Sequence, residues 1–297
     1  MINTVETYTG WKKWTPSLDE FARFCMEPYM PFEMQENEYL LVYTKSERTQ
    51  KLELTGHYVV KHGKLQKVSR DSISFKSRKS SEKTTTIYPR NDEQICAVNL
   101  LKDPEVTIKL LTGTWGTGKT MFLVSAALRA LDSNLFERIV WIRNNVRVAN
   151  TEDLGALPGE VNEKLMPYLG PFIDHCGKAG VECMLNNGKL VIEPLQSLRG
   201  RNLENTLIIC SEAENLTTEH LQLIIARAAE GSEVWLDADT RQRDKVVFEH
   251  SKGIENLIEA LAGEELFGYV HLTKSERSKT AALADKLNRF VTKTIKK

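Results

Sequence analysis

Gly113-Thr114-Trp115-Gly116-Thr117-Gly118-Lys119-Thr120 reads G-x-x-x-x-G-K-T, and it restricts the chain more than any other stretch. Its glycines let successive backbone N–H groups turn toward one point, and a helix starting at its end adds partial positive charge there. Such a loop cradles phosphates when a strand enters it and a helix leaves it. Val106–Leu111 is a β-rich apolar run, and Met121–Leu131 contains neither Gly nor Pro, so both conditions are met. Lys119 is then expected to reach the β- and γ-phosphates of a nucleotide, and the Thr120 hydroxyl to face Mg²⁺.

The chain has 297 residues, enough for two domains. Forty Lys/Arg balance forty Asp/Glu. No apolar run approaches membrane-spanning length, and Met1–Trp14 lacks the apolar core of a signal peptide. The five cysteines are scattered without a C-x-x-C pair, which points to reduced thiols and a cytoplasmic protein. His175, Cys176 and Cys183 match no zinc spacing.

Residues 1–80 form the expected N-terminal region. Ser17 to Met26 reads as a short helix with Ser17 as N-cap and Glu20 three residues on. Short runs at Tyr39–Thr44, Lys51–Leu54, His57–Val60, Leu65–Val68 and Ile73–Phe75, punctuated by Gly56 and Gly63, predict a small antiparallel β module. Residues 45–83 hold eleven Lys/Arg against four Asp/Glu, a bias compatible with a polyanion partner or with a solvated basic face. Ser77–Thr86 reads as a linker.

From residue 85 to 297 the pattern is α/β. Apolar runs at Arg138–Arg143, Lys189–Glu193, Thr206–Cys210, Glu233–Leu236 and Tyr269–Leu272 alternate with helical stretches at Asn91–Leu101, Glu160–Leu169, Glu219–Ala229 and Ser278–Thr292. Alternation of this kind implies a parallel sheet covered on both faces, with ligands at the carboxyl ends of its strands. Hydrolysis needs, beyond the loop, a group that orients water. Glu212, just after the apolar strand Leu207–Cys210, is placed to do so.

Seven segments in order resemble the PhoH family of P-loop ATPases. Besides the loop itself and the strand leading to Glu212, they are Pro89-Arg90-x-x-x-Gln94, Leu154–Glu160 with Pro167-Tyr168 and Pro171, Leu198-Arg199-Gly200-Arg201, Asp239-Thr240-Arg241-Gln242-Arg243-Asp244, and Leu272–Ser278. The resemblance implies a RecA-like P-loop NTPase fold using ATP and Mg²⁺. It further implies that Gln94 bonds the adenine edge with Arg90 beside it. Gln242 would sense the γ-phosphate, Asp239 would help around the metal and water, and Arg277 would act as an arginine finger. RNA or single-stranded nucleic acid as partner and a homo-oligomeric ring, a hexamer, are implied in the same way.

The departures matter. The family usually has Asp-Glu-Ala-Gln where this chain has Ser211-Glu212-Ala213-Glu214, Gly where it has Ala238, and Arg-Pro where it has Arg143-Asn144. Ser211 cannot lend a metal a carboxylate, so Ser211→Asp is expected to raise activity or lower the Mg²⁺ requirement. The competing reading is a nucleotide-binding regulatory or scaffold protein with weak turnover. No nuclease constellation of the kind found in PIN-fused relatives is visible, so nuclease activity is not expected.

Overall fold

The structure, a computed structural model, describes residues 8–46, 48–79, 83–143, 166–239 and 252–276. The predicted helices at 160–169 (as far as residue 165) and 278–292 fall outside them, as do Gln242 and Arg277.

The N-terminal sheet has the order β1 (Trp11–Trp14), β2 (Tyr39–Lys45), β3 (Leu52–Lys61), β4 (Lys64–Val68). β1 runs parallel to β2, and the other pairs are antiparallel. The sequence reading missed β1, whose Trp-Lys-Lys-Trp gives no apolar alternation. It also split β3 at Gly56, where the strand continues through a bulge opposite Val42 and Tyr43. Helix α1 (Leu18–Met26) has the expected capping box, with Ser17 and Glu20 satisfying each other's backbone N–H groups.

Residues 77–86 are not a simple linker. Thr84–Ile87 (β6) pairs antiparallel with Ile73–Lys76 (β5), because its β-branched residues suit a strand as well as a polar tether. Ile73 and Phe75 bury against the helix that follows the phosphate loop.

The second sheet is six-stranded and wholly parallel. Helix α2 (Asp92–Lys102) precedes β7 (Ile108–Gly113), and α3 (Lys119–Asp132) leads to β8 (Arg138–Arg143). Helix α4 (Gly170–Asn186), unforeseen because Gly170, Gly177 and Gly180 interrupt its pattern, precedes β9 (Leu190–Pro194) and β10 (Thr206–Cys210). Helix α5 (Thr218–Ile225), β11 (Glu233–Ala238), α6 (Gly253–Leu261) and β12 (Phe267–Leu272) complete it. The strand order is β12-β7-β11-β10-β8-β9, so β11 lies between the strand entering the loop and the strand carrying Glu212.

Alternating side chains face the two sides of this sheet. Leu111, Ile139, Trp141, Leu207 and Ile209 pack with α2, α3 and α4, whereas Leu110, Val140, Ile142, Ile208 and Cys210 pack with α5 and α6. Burial on both faces is why the strands read as nearly continuous apolar runs. The first core also takes in Tyr39, Leu41, Val59 and Val68, so the N-terminal sheet and the helices share one apolar interior. The outer edge of β12 is closed by the N-terminal segment, where His271 donates its N–H to the Thr9 carbonyl at 2.9 Å. Gly10 permits that approach: its φ is +75°, and a Cβ there would lie 1.8 Å from the Tyr269 carbonyl oxygen.

Candidate functional site

The loop from Gly113 to Gly118 joins β7 to α3. Gly113 has φ +150°, and a Cβ would meet the Leu272 carbonyl oxygen at 2.3 Å. Gly118, with φ +94°, occupies the N-cap of α3, where a left-handed backbone and no side chain aim the first N–H groups of the helix into the loop. Thr117 is fully buried, and its hydroxyl donates to the Thr114 carbonyl at 2.8 Å. Lys119 Nζ lies 2.6 Å from the Gly113 carbonyl oxygen and 3.1 Å from that of Thr114.

Gln94 is buried beneath the loop. Its Nε2 donates to the Thr117 carbonyl at 2.9 Å, and its Oε1 accepts the Arg90 N–H at 2.8 Å. The amide therefore ties the start of α2 to the phosphate loop. Arg90 is exposed beside it, and its guanidinium reaches the Glu276 carbonyl at 3.5 Å. Glu276 in turn donates its N–H to the Gly116 carbonyl at 2.9 Å. The predicted Arg277 follows Glu276 in the chain.

A cavity of about 430 Å³ opens in front of the loop, lined by Lys119 and Thr120 on one side and by Ser211, Glu212, Glu214, Asp237 and Asp239 on the other. Trp115 and Met121 stand at its rim, and Trp141, Pro167, Tyr168 and Pro171 form another wall. A hollow of about 600 Å³ at the far end of α3 contains none of the predicted site residues, and its Arg78 is bonded to Asp132.

Glu212 has φ 58° and ψ 41°, a left-handed conformation that costs a non-glycine residue about 1 kcal/mol. Its N–H is held at 3.1 Å by Oδ1 of Asp237. The same oxygen accepts the Ser211 hydroxyl at 2.9 Å. Asp237 is the site residue that the sequence reading missed. In the sequence the apolar run ends at Leu236, and the likeness to the family motif begins only at Asp239. The available signal was an acid two residues earlier, at the carboxyl end of a strand adjacent to β7.

Burial raises the Asp237 carboxyl above the usual aspartate range, against the pull of the Glu212 N–H, Thr120, Ser211 and the Lys119 charge. Glu214 is pushed up to about 8, first by burial and further by the charges of Asp237 and Glu212. At neutral pH its carboxyl is mainly protonated, so it resembles the neutral amide that the sequence comparison expected. Its Oε2 accepts the N–H of Asp239 at 2.9 Å.

The donor set fits a hydrated Mg²⁺. Asp237 is only 3% exposed, and its Oδ2 has no hydrogen bond among the described residues. A buried carboxylate oxygen in that state is costly unless a cation meets it. No group of three or more His, Cys, Asp or Glu side chains is arranged to hold a metal ion by itself among the described residues. Mg²⁺ in such sites needs only one or two carboxylates beside phosphates and water. The five cysteines are free thiols. His175, on α4, meets the Ser125 hydroxyl of α3 at 2.9 Å.

A parallel sheet with a Gly-rich loop after β7, and carboxylates at the carboxyl ends of β11, its neighbour, and of β10, the next strand along, defines a P-loop protein of RecA-like fold. The chain belongs to the PhoH family: the family described as PhoH-like protein matches residues 86–288. Protein PhoH2 of Thermobispora bispora is 33% identical over 207 residues, covering 68% of this chain and 48% of that protein. Protein PhoH2 of Bacillus subtilis is 34% identical over 208 residues, 67% of this chain and 47% of its own length. Protein PhoH of Escherichia coli K12 is 29% identical over 209 residues, with 68% and 58% covered. The chain thus spans about half the length of the PhoH2 relatives it matches. No helix among the described residues is long and apolar enough to cross a membrane.

Proposed function

We propose that the chain is an ATPase that binds Mg²⁺-ATP in the cavity before the phosphate loop. The observation that carries this reading is the convergence of Lys119 and Thr120 with Ser211, Glu212 and Asp237 on one cavity at the carboxyl ends of β7, β10 and β11. In it, backbone N–H groups of residues 114–118 and the α3 N-terminus hold the phosphates, and Lys119 neutralises the terminal ones. Mg²⁺, when bound, offsets charge on the β- and γ-phosphates. Glu212, held at the strand end by Asp237, orients the attacking water. Asp239, Gln242 and Arg277 complete the catalytic set, and Arg90 and Gln94 lie on the nucleobase side. Gln94 reaches a base only by exchanging one of its present backbone partners.

The polymer partner in this reading is RNA or single-stranded nucleic acid, engaged by a homo-oligomeric ring, a hexamer, in the cytoplasm. The basic bias of residues 45–83 supports a polyanion partner, although Lys61 and Arg78 are already paired with Asp103 and Asp132. Ser211 is the observation favouring a weakly hydrolysing regulatory or scaffold protein. Phosphate release from Mg²⁺-ATP, measured without nucleic acid, with RNA and with single-stranded DNA, decides between them. The ATPase reading expects turnover that RNA stimulates. Tight ATP binding with no release in all three would contradict it.

A further inference from the structure

The strand end that carries Glu212 lacks the carboxylate usual before it, and a carboxylate stands 2.9 Å from Ser211 on the adjoining strand. Resting on the nucleotide-binding reading above, we propose that Asp237 supplies from β11 the charge absent at position 211, just past the end of β10, and that its Oδ2 holds the hydration shell of the nucleotide's Mg²⁺.

The two positions are level in the sheet. Cys210 pairs with Leu236 in parallel register, so Ser211 and Asp237 are the next residues along both strands. Asp237 divides its oxygens between two tasks. Oδ1 accepts from Ser211 and from the strained Glu212, whereas Oδ2 is buried without a hydrogen bond in the wall of the cavity that Lys119 and Thr120 also line. An anionic oxygen left unsatisfied beside the metal-facing hydroxyl of a phosphate loop is a group prepared for a cation. The Ser211 hydroxyl donates to Asp237, which an aspartate there could not do. Two ionised carboxylates at that separation would repel each other. Serine at 211 and aspartate at 237 are therefore one exchange, in which the acid moves one strand over and the vacated position becomes its donor. Ser211→Asp alone, which sequence comparison expects to help, places like charges together and is expected to weaken Mg²⁺ use.

The test is equilibrium binding of a fluorescent ADP, titrated with Mg²⁺, to the whole chain and to Asp237→Asn. Asparagine preserves the shape and still offers an oxygen to Ser211 and Glu212. The Mg²⁺ midpoint should rise about tenfold, the scale of one lost charge contact. Metal-free ADP should bind as tightly or more tightly, because a negative charge near its phosphates has gone. The doubly exchanged Ser211→Asp/Asp237→Ser should return the midpoint close to the original, and it carries the test if Asp237→Asn fails to fold. An unchanged midpoint in folded Asp237→Asn, equal loss of metal-free and Mg²⁺-dependent binding, or no restoration in the double variant would overturn the assignment. Failure of the unaltered chain to bind ADP at any Mg²⁺ concentration would instead remove the nucleotide reading, and this inference with it.

Discussion

Glu93 and Thr273, 180 residues apart, are joined by two hydrogen bonds: the Glu93 carboxylate accepts the Thr273 N–H at 2.6 Å and its hydroxyl at 2.5 Å. The same carboxylate takes the Lys274 N–H at 3.2 Å, and Asn91 holds the Glu276 side chain at 2.8 Å. The stretch after β12 is thereby fastened to the start of α2, while Glu276 grips Gly116 of the phosphate loop. Glu93→Ala leaves these donors without their charged acceptor. It should lower unfolding free energy by about 2 kcal/mol, and kcat for ATP should fall more than KM changes. Chemical denaturation and steady-state kinetics check both, and unchanged values in both would show that the fastening is idle.

Glu212→Gln should retain ATP binding and reduce turnover by about a hundredfold or more, the usual scale for losing a base that directs water. The amide keeps the volume and loses the charge. Single-turnover phosphate release beside a binding isotherm separates the two effects. Normal hydrolysis would remove Glu212 from its role.

Lys109, nearly fully buried, lies 2.7 Å from Glu233 and over the Trp235 ring, whose Nε1 also donates to Glu233. Burial lowers the Lys109 pKa, and the Glu233 charge opposes that shift. Removing the partner strands a buried cation, so Glu233→Ala should cost about 3 kcal/mol. Lys109→Met/Glu233→Leu, which removes both charges, should recover most of it. Denaturant midpoints at constant m-value would show whether it does.

His175 gives stability a pH dependence of known sign. Its Nδ1 lies 2.8 Å from the Pro171 carbonyl oxygen, to which it donates, and its Nε2 lies 2.9 Å from the Ser125 hydroxyl, which itself donates to the Met121 carbonyl at 2.7 Å. Burial lowers its pKa, with Lys79 helping and the Pro171 carbonyl and Asp174 opposing. The unfolded chain therefore protonates first as pH falls below about 6.5. This contribution is fully present above that pH and is lost as pH drops toward the lower folded value. Between pH 7.5 and 5.5, the fall in Tm should be smaller for His175→Gln than for the unaltered chain. His57, also lowered by burial, acts in the same window in both proteins. An identical fall would contradict the assignment.

The architecture was legible in the sequence because the parallel strands are buried on both faces and read as apolar runs, and because the phosphate loop fixes which strand meets which helix. Trp11–Trp14 was not legible, since two lysines occupy its centre and its pairing with Tyr39–Val42 depends on a distant segment. Helix α4 was hidden by its glycines, one of which, Gly177, departs from helical geometry. At the site, the loop and Glu212 could be read from local order. Asp237 could not be ranked above other acids, because its importance comes from β11 lying between β7 and β10, a fact of strand order. The same holds for Gln94, whose bond to Thr117 spans 23 residues and becomes visible only when α2 packs under the loop.

The most direct test of the account is the binding of ATP to the purified chain, with Mg²⁺ present, compared with Lys119→Ala by isothermal titration. Lys119 stands at the first turn of α3 with its ammonium against the Gly113 and Thr114 carbonyls, and in the proposed function it turns from them to the phosphates of a bound nucleotide. Saturable binding of one ATP per chain is expected, lost in Lys119→Ala with the melting profile retained. Equal affinity in the two proteins would contradict it.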